Sequence, residues 1–541
     1  MDFFRRLLAI VFAFCALFAL SDCGRRGSPS GGPKDETPPV LIKADPPNKT
    51  TGFKADRIRL YFDEYIRLED VLNQLIVSPP LKNQPEITPM GGARKYVEII
   101  LKDTLLENTT YTLNFGQSVV DNNEGNPNNF LTYVFSTGEY IDSLSLSGAV
   151  ADALERSPDP FISVMLYEAD IDTAFSDSTI YKQPPYYITN TLDSAVTFRL
   201  ENLKSGAYRL VALKDESKNN VFDPSVDKIG FVEDTVFLPT DSIYQLRLFR
   251  EIPEYGVLPP SYAATNKIVF GYNGPLPPVV SLITELPDSV RTLFAREPGK
   301  DSLNLWITPF SADSLLFAVR HPELESPVDT FSLKPVSAVA DSLSFSWTPR
   351  QSLNFTDTLF LSATLPIRAI DTSLFHLMDA DSIPIGVEAR LDTLQNRVQL
   401  DFSKEPNQIY SLQVLPGGLT DFFGTTNDTL ENTWRTSSPA DYGNLRLNLQ
   451  GNPAFPLIVE LIDQKNARIR SKYLTGFEEV EFPYLTPGDY RVRIIFDTNQ
   501  NGKWDTGSFL EKKQPERVLY YPGTIEMRAN WEKVETFTIQ G

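Results

Sequence analysis

The chain has 541 residues, a formal net charge of −20 and 41% hydrophobic residues. This length predicts roughly three to five domains, and the composition predicts a folded rather than a disordered chain. The acidic balance argues against a nucleic-acid partner, which requires a basic face, and is compatible with divalent cations.

Residue usage narrows the fold class and the possible chemistry. Pro occurs 41 times against 29 for Gly, and Tyr and Phe occur 22 and 35 times. These numbers predict an all-β chain of short strands joined by Pro-rich turns. The two cysteines, Cys15 and Cys23, lie at the extreme N-terminus, so the body of the protein has no disulfide framework.

The N-terminus has the features of a signal peptide, residues 1–22. Two arginines precede fourteen apolar residues, a run too short to span a bilayer comfortably. The next segment, Leu-Ser-Asp-Cys, resembles a bacterial lipobox ending at Cys23, although Asp22 replaces the usual Ala or Gly. Residues 23–36 are rich in Gly, Ser and Pro and predict a flexible tether. We therefore predict that Cys23 is lipidated; the alternative is an ordinary secretory signal in which Cys23 is incidental.

The lipobox resemblance implies a location. A lipobox cysteine carries three acyl chains (palmitate-type anchors), and at ~0.8 kcal/mol per buried methylene such an anchor is effectively permanent. Gly24 follows the cysteine, which by the usual sorting logic favours the outer membrane. Residues 34–36, Lys-Asp-Glu, resemble a Bacteroidota surface-export signal but lie farther from the cysteine than usual. The periplasmic face and the cell surface therefore both stay open.

Residues 37–141 predict the first β-sandwich domain. Apolar and polar residues alternate in "IRLYF" (58–62) and in "YVEIIL" (96–101), as in half-buried strands, and "LEDVLNQLI" (68–76) predicts one short helix. The segment contains the short motifs "TPPV", "ADPPN" and "YTLNF". With these motifs it resembles the bacterial Ig-like domain first named from S-layer proteins, the SbsA type. A weaker internal match relates residues 111–139 to residues 410–438, which predicts a divergent second Ig-like domain at 336–438.

A second internal repeat is stronger. "SGAYRLVALKDESKNNVFDP" (205–224) aligns without a gap with "PGDYRVRIIFDTNQNGKWDT" (487–506). In the second copy, the apolar side chains of "YRVRIIF" face one way and Arg491 and Arg493 the other, which predicts a half-buried strand. The two copies predict β-modules at 142–250 and 439–541. Both resemble transthyretin-like or carboxypeptidase-regulatory-like sandwiches.

Residues 251–335 lie between these modules and predict a further β-sandwich. The segment starts in a Pro-rich linker and continues in short alternating runs such as "LNLWI" (303–307) and "LLFAV" (315–319). The chain as a whole resembles a Bacteroidota Ig-like domain lipoprotein. This resemblance implies an architecture of tandem sandwiches and a lipid-anchored location more firmly than it implies an activity.

The second copy of the strong repeat contains a candidate metal site. Side-chain oxygens stand at positions 1, 3, 5 and 9 of a loop, Gly502 stands at position 6, and Lys503 can add its carbonyl. This spacing is typical of an oxygen-ligand calcium loop, and it also resembles the loop of B-type repeats in bacterial surface adhesins. Position 12 is Ser508 rather than the Glu of an EF-hand, which favours a rigid structural site. The alternative is a polar turn without metal. The predicted ligands are Asp497, Asn499, Asn501, Lys503 and Asp505.

The first copy predicts a weaker second calcium loop. Ser217 replaces an Asn, and Asn220 replaces the Gly at position 6. The corresponding ligands are Asp215, Ser217, Asn219 and Asp223.

Catalysis is not predicted. The sequence has no Gly-rich phosphate loop, HExxH or GxSxG motif, and we interpret His321 and His376 as surface or packing residues. The chain has two His and two Cys residues, and a zinc site built from His and Cys ligands would need nearly all of them.

The predicted function is a non-enzymatic scaffold in the cell envelope. Five modules in series reach away from the membrane, and their edge strands offer surfaces for a partner by strand addition. Family resemblance suggests an outer-membrane protein complex as that partner. The alternative is a glycan-binding surface lipoprotein, in which exposed aromatic residues stack on sugars. These aromatic residues, which could equally fill cores or junctions, are Tyr186, Tyr187, Trp504, Tyr520 and Tyr521.

Overall fold

The computed structural model describes residues 35–539, except 130, 170–176, 192–195, 275, 297–299, 325–327, 337–338, 355–356 and 394. The signal peptide, Cys23 and most of the tether lie outside the described residues. The described chain is almost entirely β-structure, so the all-β prediction of tandem sandwiches is confirmed. The predicted helix at 68–76 is a single turn, α1 (Val71–Gln74), between two strands. No described helix has the length and apolar character needed to cross a membrane.

The chain divides into two compact units after Ser143. In the first unit, one sheet has the order β1-β2-β5-β4, with β7 beside β2, and the other has the order β3-β6-β8. Its core is built from the inward residues of both sheets, such as Ile58, Phe62 and Tyr133. The strands are β1 (Leu41–Asp45), β2 (Arg57–Leu68), β3 (Ile76–Ser78), β4 (Glu86–Thr88), β5 (Arg94–Ile100), β6 (Thr110–Asn114), β7 (Val119–Asp121) and β8 (Thr132–Ser136).

The second unit begins with repeat A, residues 144–251. One sheet has the order β11-β10-β13-β14, with β15 also on β13, and the other has the order β12-β9-β16. A 3₁₀ helix (Asp177–Tyr181) precedes β11. The strands are β9 (Leu144–Asp152), β10 (Ser163–Glu168), β11 (Tyr187–Asn190), β12 (Thr197–Leu203), β13 (Gly206–Lys214), β14 (Lys228–Phe231), β15 (Val236–Leu238) and β16 (Ile243–Leu248).

Residues 256–333 form two further sheets around their own core, in which Phe270 and Phe317 are fully buried. The sheet orders are β17-β19-β22-β21, with β18 beside β19, and β20-β23-β24. The strands are β17 (Gly256–Val257), β18 (Ser261–Ala264), β19 (Lys267–Asn273), β20 (Val279–Leu282), β21 (Thr292–Arg296), β22 (Ser302–Ile307), β23 (Leu315–Arg320) and β24 (Val328–Leu333).

Residues 345–436 pack around the fully buried Trp434. The sheet orders are β25-β27-β32-β31, β26-β35-β33-β29-β30 and β28-β34, and a 3₁₀ helix (Thr372–Leu374) precedes β29. The strands are β25 (Phe345–Thr348), β26 (Ser352–Leu353), β27 (Leu359–Ala363), β28 (Ile367–Ile370), β29 (Phe375–Met378), β30 (Pro384–Ile385), β31 (Glu388–Asp392), β32 (Arg397–Asp401), β33 (Ile409–Val414), β34 (Leu419–Asp421) and β35 (Leu430–Thr436).

Repeat B, residues 439–539, has the same topology as repeat A. Its sheets have the orders β38-β37-β40-β41, with β42 also on β40, and β39-β36-β43. In both repeats the last strand runs parallel to the first. A 3₁₀ helix (Pro439–Asp441) opens the repeat. The strands are β36 (Gly443–Gly451), β37 (Leu457–Ile462), β38 (Arg468–Leu474), β39 (Val480–Leu485), β40 (Gly488–Phe496), β41 (Val518–Tyr520), β42 (Ile525–Met527) and β43 (Glu532–Ile539).

The pairing registers show where the two repeats differ in length. Val211 pairs with Phe231 in repeat A, and Arg493 pairs with Tyr520 at the equivalent place in repeat B. The strands before the loop, β13 and β40, align with the same offset as the sequence repeat. The strand after the loop in repeat B, β41, lies further along the chain than this offset would place it. Repeat B therefore carries about seven extra residues. We call the resulting segment, residues 506–515, the insertion.

The prediction that β40 is half-buried is wrong. Val492 through Phe496 are all buried, and Arg493 is only 7% exposed. The neighbouring strand β37 is buried along its whole length. Both faces of this sheet are therefore covered, because its outer face packs within the second unit instead of meeting water. Repeat A has the same property, since Met165 and Val211 on its outer face are also buried.

Candidate functional site

The loop after β40 is held closed by its own first residue. Asp497 is 1% exposed, and its carboxylate accepts the backbone N–H groups of Asn501 (3.1 Å) and Gly502 (2.8 Å). Gly502 has φ 77°, the left-handed region that favours glycine. Such bonds give the loop a fixed curvature whether or not an ion is present.

Three of the predicted ligands converge in this loop. The Asp505 carboxylate accepts hydrogen bonds from the side-chain amides of Asn499 and Asn501, the latter at 2.6 Å. A rotation of either amide would turn its oxygen toward the same point. The side chains at positions 3, 5 and 9 therefore meet at one point, although the amide nitrogens face the carboxylate and the amide oxygens accept backbone N–H groups of the loop.

A buried glutamate that the sequence analysis missed ties this loop to the following strand. Glu516, 7% exposed, accepts the N–H of Thr498 (2.6 Å) and the N–H of Asp505 (3.1 Å). Its own backbone pairs with Asp505, and its carbonyl accepts the indole N–H of Trp504 (3.0 Å). Glu516 thus fixes both ends of the loop.

Repeat A has a buried carboxylate that fixes its loop at the equivalent position. Asp227, which is fully buried, accepts the N–H of Glu216 and the N–H of Asp223, each at 2.9 Å. Burial raises the pKa of Asp227, and the nearby Asp215 and Asp223 carboxylates raise it further. A cation placed among these carboxylates would relieve that repulsion.

The loop of repeat A otherwise fits calcium less well. Asn220 stands where repeat B has Gly502 and takes the same left-handed conformation, with φ 57°, which Asn tolerates better than most residues. The Asp223 carboxylate, however, accepts the N–H (2.9 Å) and the hydroxyl (2.6 Å) of Ser225. It is therefore not turned toward positions 3 and 5, as Asp505 is in repeat B.

The insertion joins repeat B to repeat A. Phe509 is 2% exposed, and its ring lies 5.2 Å from that of Phe231 and 6.5 Å from that of Tyr181. Its N–H donates to the carboxylate of Glu251, whose pKa is raised by burial and partly lowered again by this bond. Lys512 adds an ion pair to Asp177 (2.5 Å).

Two further bonds fix the ends of the insertion on repeat A. The hydroxyl of Thr506 donates to the carbonyl of Arg250 (2.6 Å), and the side-chain amide of Gln514 donates to the carbonyl of Phe231 (3.1 Å). Gly507 fits here because a Cβ would lie 2.7 Å from the Phe249 ring and 2.5 Å from a backbone oxygen. The insertion therefore acts as a clasp between the two repeats.

An ion pair lies on the same side of repeat B. The Arg493 guanidinium contacts the Glu460 carboxylate at 2.6 Å, and both side chains are buried. Arg493 also donates to the carbonyl of Leu154 in repeat A (3.3 Å), and so does the hydroxyl of Tyr520 (2.7 Å). This polar contact and the clasp hold two modules together that are far apart in sequence.

The five aromatic residues considered for glycan stacking are not exposed. Tyr187 is buried, and the other four are half-buried. The hydroxyl of Tyr520 donates to repeat A, that of Tyr521 donates to Glu535 (2.7 Å), and the indole N–H of Trp504 donates to the carbonyl of Glu516. Their positions agree with the alternative that these side chains fill cores and junctions.

The two histidines lie apart from both loops. His321 packs edge-on to Tyr255, with ring centroids 4.2 Å apart, and His376 is exposed on β29. Within the described residues, no group of three or more His, Cys, Asp or Glu side chains is arranged as a ready metal site. Ligands of the Asp497 loop would thus have to include its amides and carbonyls.

Comparison with known families gives one match. Residues 35–137 match the family model described as the bacterial Ig-like domain. This match lies within the first unit and covers no part of the second unit. No curated protein sequence matches the chain.

The similar solved structures have low sequence identity to this chain and low TM-scores. The surface layer protein SbsC, domains 1–6, is 10% identical over 84% of this chain, with a TM-score of 0.14, and the chain spans 64% of its length. The major pilin subunit BcpA of Bacillus cereus is 8% identical, with 74% and 99% of the two chains covered and a TM-score of 0.14. SGBP-B of Bacteroides ovatus, solved with a mixed-linkage heptasaccharide, is 11% identical, with 71% and 91% covered and a TM-score of 0.17. Scores of this size support no comparison of function.

Proposed function

We propose that this protein is a non-enzymatic, lipid-anchored scaffold of the bacterial outer membrane that binds an outer-membrane protein complex. The observation that carries the proposal is a series of β-sandwiches with separate apolar cores, behind an N-terminus that resembles a lipoprotein signal. Sheets that end in edge strands can accept a partner strand. The clasp between repeats A and B makes part of this scaffold rigid.

The anchor can be tested with one substitution. We expect Cys23→Ala to move the protein from the membrane fraction to the soluble fraction, because the acyl chains would be lost. Cys15→Ala, within the predicted signal core, is the matched control and should leave fractionation unchanged. A Cys23→Ala protein that sediments with membranes as fully as the wild type would contradict lipidation.

The partner is tested by crosslinking cells, solubilising their membranes and identifying what co-purifies with the tagged protein. The scaffold proposal expects a reproducible outer-membrane protein in near-equal amount. Recovery of no partner, together with retention of the protein on an envelope polysaccharide, would favour the glycan-binding alternative. The five aromatic residues predicted to stack on sugars are buried or half-buried, so they do not support that alternative.

We further propose that the Asp497 loop binds a structural calcium ion through Asp497, Asn499, Asn501, Asp505 and the carbonyl of Lys503. Convergence of three of these side chains supports it. Millimolar calcium should raise the Tm of the transition that contains repeat B by several degrees, since saturation at 100 times Kd adds ~2.7 kcal/mol. The test uses the chain from Gly24 onward, which keeps every described residue.

Paired variants separate ion binding from turn formation. Asn499→Ala with Asp505→Asn should remove the calcium-dependent rise in Tm. The control, Asp463→Asn, alters a tight turn in the same repeat that lacks the calcium spacing, and its calcium-dependent rise should match the wild type. An unchanged Tm of the wild type in millimolar calcium would mean that the loop is only a polar turn.

A further inference from the structure

Four large apolar side chains are exposed at one end of the first unit's larger sheet. They are Val40 (55% exposed), Ile42 (65%), Tyr65 (57%) and Met90 (58%). Val40 pairs with Asp63 just before β1, so its neighbours on β2 are the residues around Tyr65. Met90 lies in the turn that leads into β5, which begins beside the same part of β2.

Three basic side chains lie in the same part of this sheet, and one of them contacts Tyr65. The ammonium of Lys95 lies 5.5 Å from the ring of Tyr65, and that of Lys43 lies 5.7 Å from the ring of Tyr61. Arg94 lies 5.5 Å from the ring of Tyr96 and donates to its hydroxyl (2.6 Å). All three basic residues are exposed. We call this group, Val40, Ile42, Lys43, Tyr65, Met90, Arg94 and Lys95, the tether surface.

The chain enters the fold at the tether surface. Residues 35–40 run into β1 and are held by the side-chain amides of Asn126 and Asn128, which donate to the carbonyls of Asp35 (2.8 Å) and Pro39 (2.9 Å). Eleven residues lie between Cys23 and Asp35, and an extended chain over these twelve steps reaches at most ~43 Å. A lipid on Cys23 would therefore keep this end of the unit near the bilayer.

We propose that the tether surface lies on a layer of anionic lipid headgroups. Apolar tips of Val40, Ile42 and Met90 enter the interface, where tyrosine side chains such as Tyr65 are also favoured. Lys43, Arg94 and Lys95 reach the lipid phosphates, and each basic residue near such a surface adds a modest attraction. The inference rests on the proposed anchor, because only the anchor brings this end to a membrane.

Acidic side chains limit how strongly this surface holds. Asp35, Asp63, Glu64, Asp121 and Glu124 lie at the same end, and burial together with the four acidic neighbours raises the pKa of Glu64. The tether surface therefore orients an anchored protein and binds only weakly without the anchor. Added salt should weaken the binding further.

The test uses the unacylated chain from Gly24 onward and vesicles of phosphatidylethanolamine and phosphatidylglycerol (3:1) at low ionic strength. We expect co-sedimentation with these vesicles and less with phosphatidylcholine vesicles. Ile42→Ser with Met90→Ser should lower the partition by about tenfold, because two apolar side chains no longer leave water. Lys43→Gln with Arg94→Gln should lower it by a similar factor and remove the preference for anionic lipid.

A matched control comes from the second unit. Ile243→Ser with Val534→Ser removes two apolar side chains that are 78% and 56% exposed, and it should leave vesicle binding unchanged. An equal loss in this control, or no binding of the wild type to either vesicle, would overturn the inference and leave a protein partner as the occupant of the surface. Such a failure would not touch the anchor, because the test protein lacks Cys23.

Discussion

Replacing Arg493 by Val is expected to lower the free energy of unfolding of the second unit by about 3–5 kcal/mol. The substitution leaves the Glu460 carboxylate buried without the guanidinium that contacts it at 2.6 Å. It also removes the bond to Leu154 of repeat A. Chemical denaturation of the chain from Gly24 onward, followed by tryptophan fluorescence, measures the change.

Repeat A supplies the rescue variant. Met165 and Val211 occupy the positions equivalent to Glu460 and Arg493, as the strand registers show. Glu460→Met with Arg493→Val should therefore recover most of the loss, because apolar side chains of similar volume replace a buried ion pair at little net cost.

Arg468 provides the control for this pair. It contacts the same carboxylate at 3.4 Å with a 60% exposed side chain, so Arg468→Ala should cost no more than ~1 kcal/mol. An Arg493→Val protein as stable as the wild type would show that water reaches this interface.

Replacing Phe509 by Ala is expected to cost about 3–5 kcal/mol, the usual range for a buried Phe. The missing ring would leave a space against Phe231 and Tyr181 in repeat A. Hydrogen exchange should rise in β14 and β16 of repeat A, although the substitution lies in repeat B. The next residue, Leu510, is 51% exposed, so Leu510→Ala should change stability by less than ~0.5 kcal/mol.

Deleting residues 507–513 separates the clasp from the packing of repeat B itself. The shortened loop has the length that repeat A uses to join Asp223 to Asp227. Repeat B should still fold, whereas the protection of β14 and β16 should fall as in Phe509→Ala. Unchanged exchange in both variants would mean that the insertion does not hold the repeats together.

Local patterns predicted the strands well but not the pairing of modules. Alternation in "YRVRIIF" shows which side chains leave the core of repeat B, and Arg493 does leave it. Alternation does not show what packs against the outer face of the sheet that contains β40. Here residues of repeat A pack against that face. The apolar run of β37, "LIVELI", in which Glu460 is the one polar residue, was the available signal of a strand buried on both faces.

The candidate loop shows a similar limit. Its spacing predicted the convergence of Asn499, Asn501 and Asp505, because ligands at alternate positions follow from the local turn. Glu516 was missed because the insertion moves it away from the position that Asp227 holds in repeat A. Aligning the strands after the loop, rather than the loop alone, would have revealed the equivalence.

The clasp has a consequence for synthesis of the chain. The hydrogen bond from Gln514 to Phe231 spans 283 residues. At 5–20 residues per second, Gln514 is synthesised roughly 15 s to 1 min after Phe231, so the aromatic surface of repeat A stays uncovered for at least that interval. During that interval Phe231 and Tyr181 remain available to other nascent chains. A holding chaperone that recognises this surface, and releases it only when residue 509 arrives, would raise the yield of the native protein.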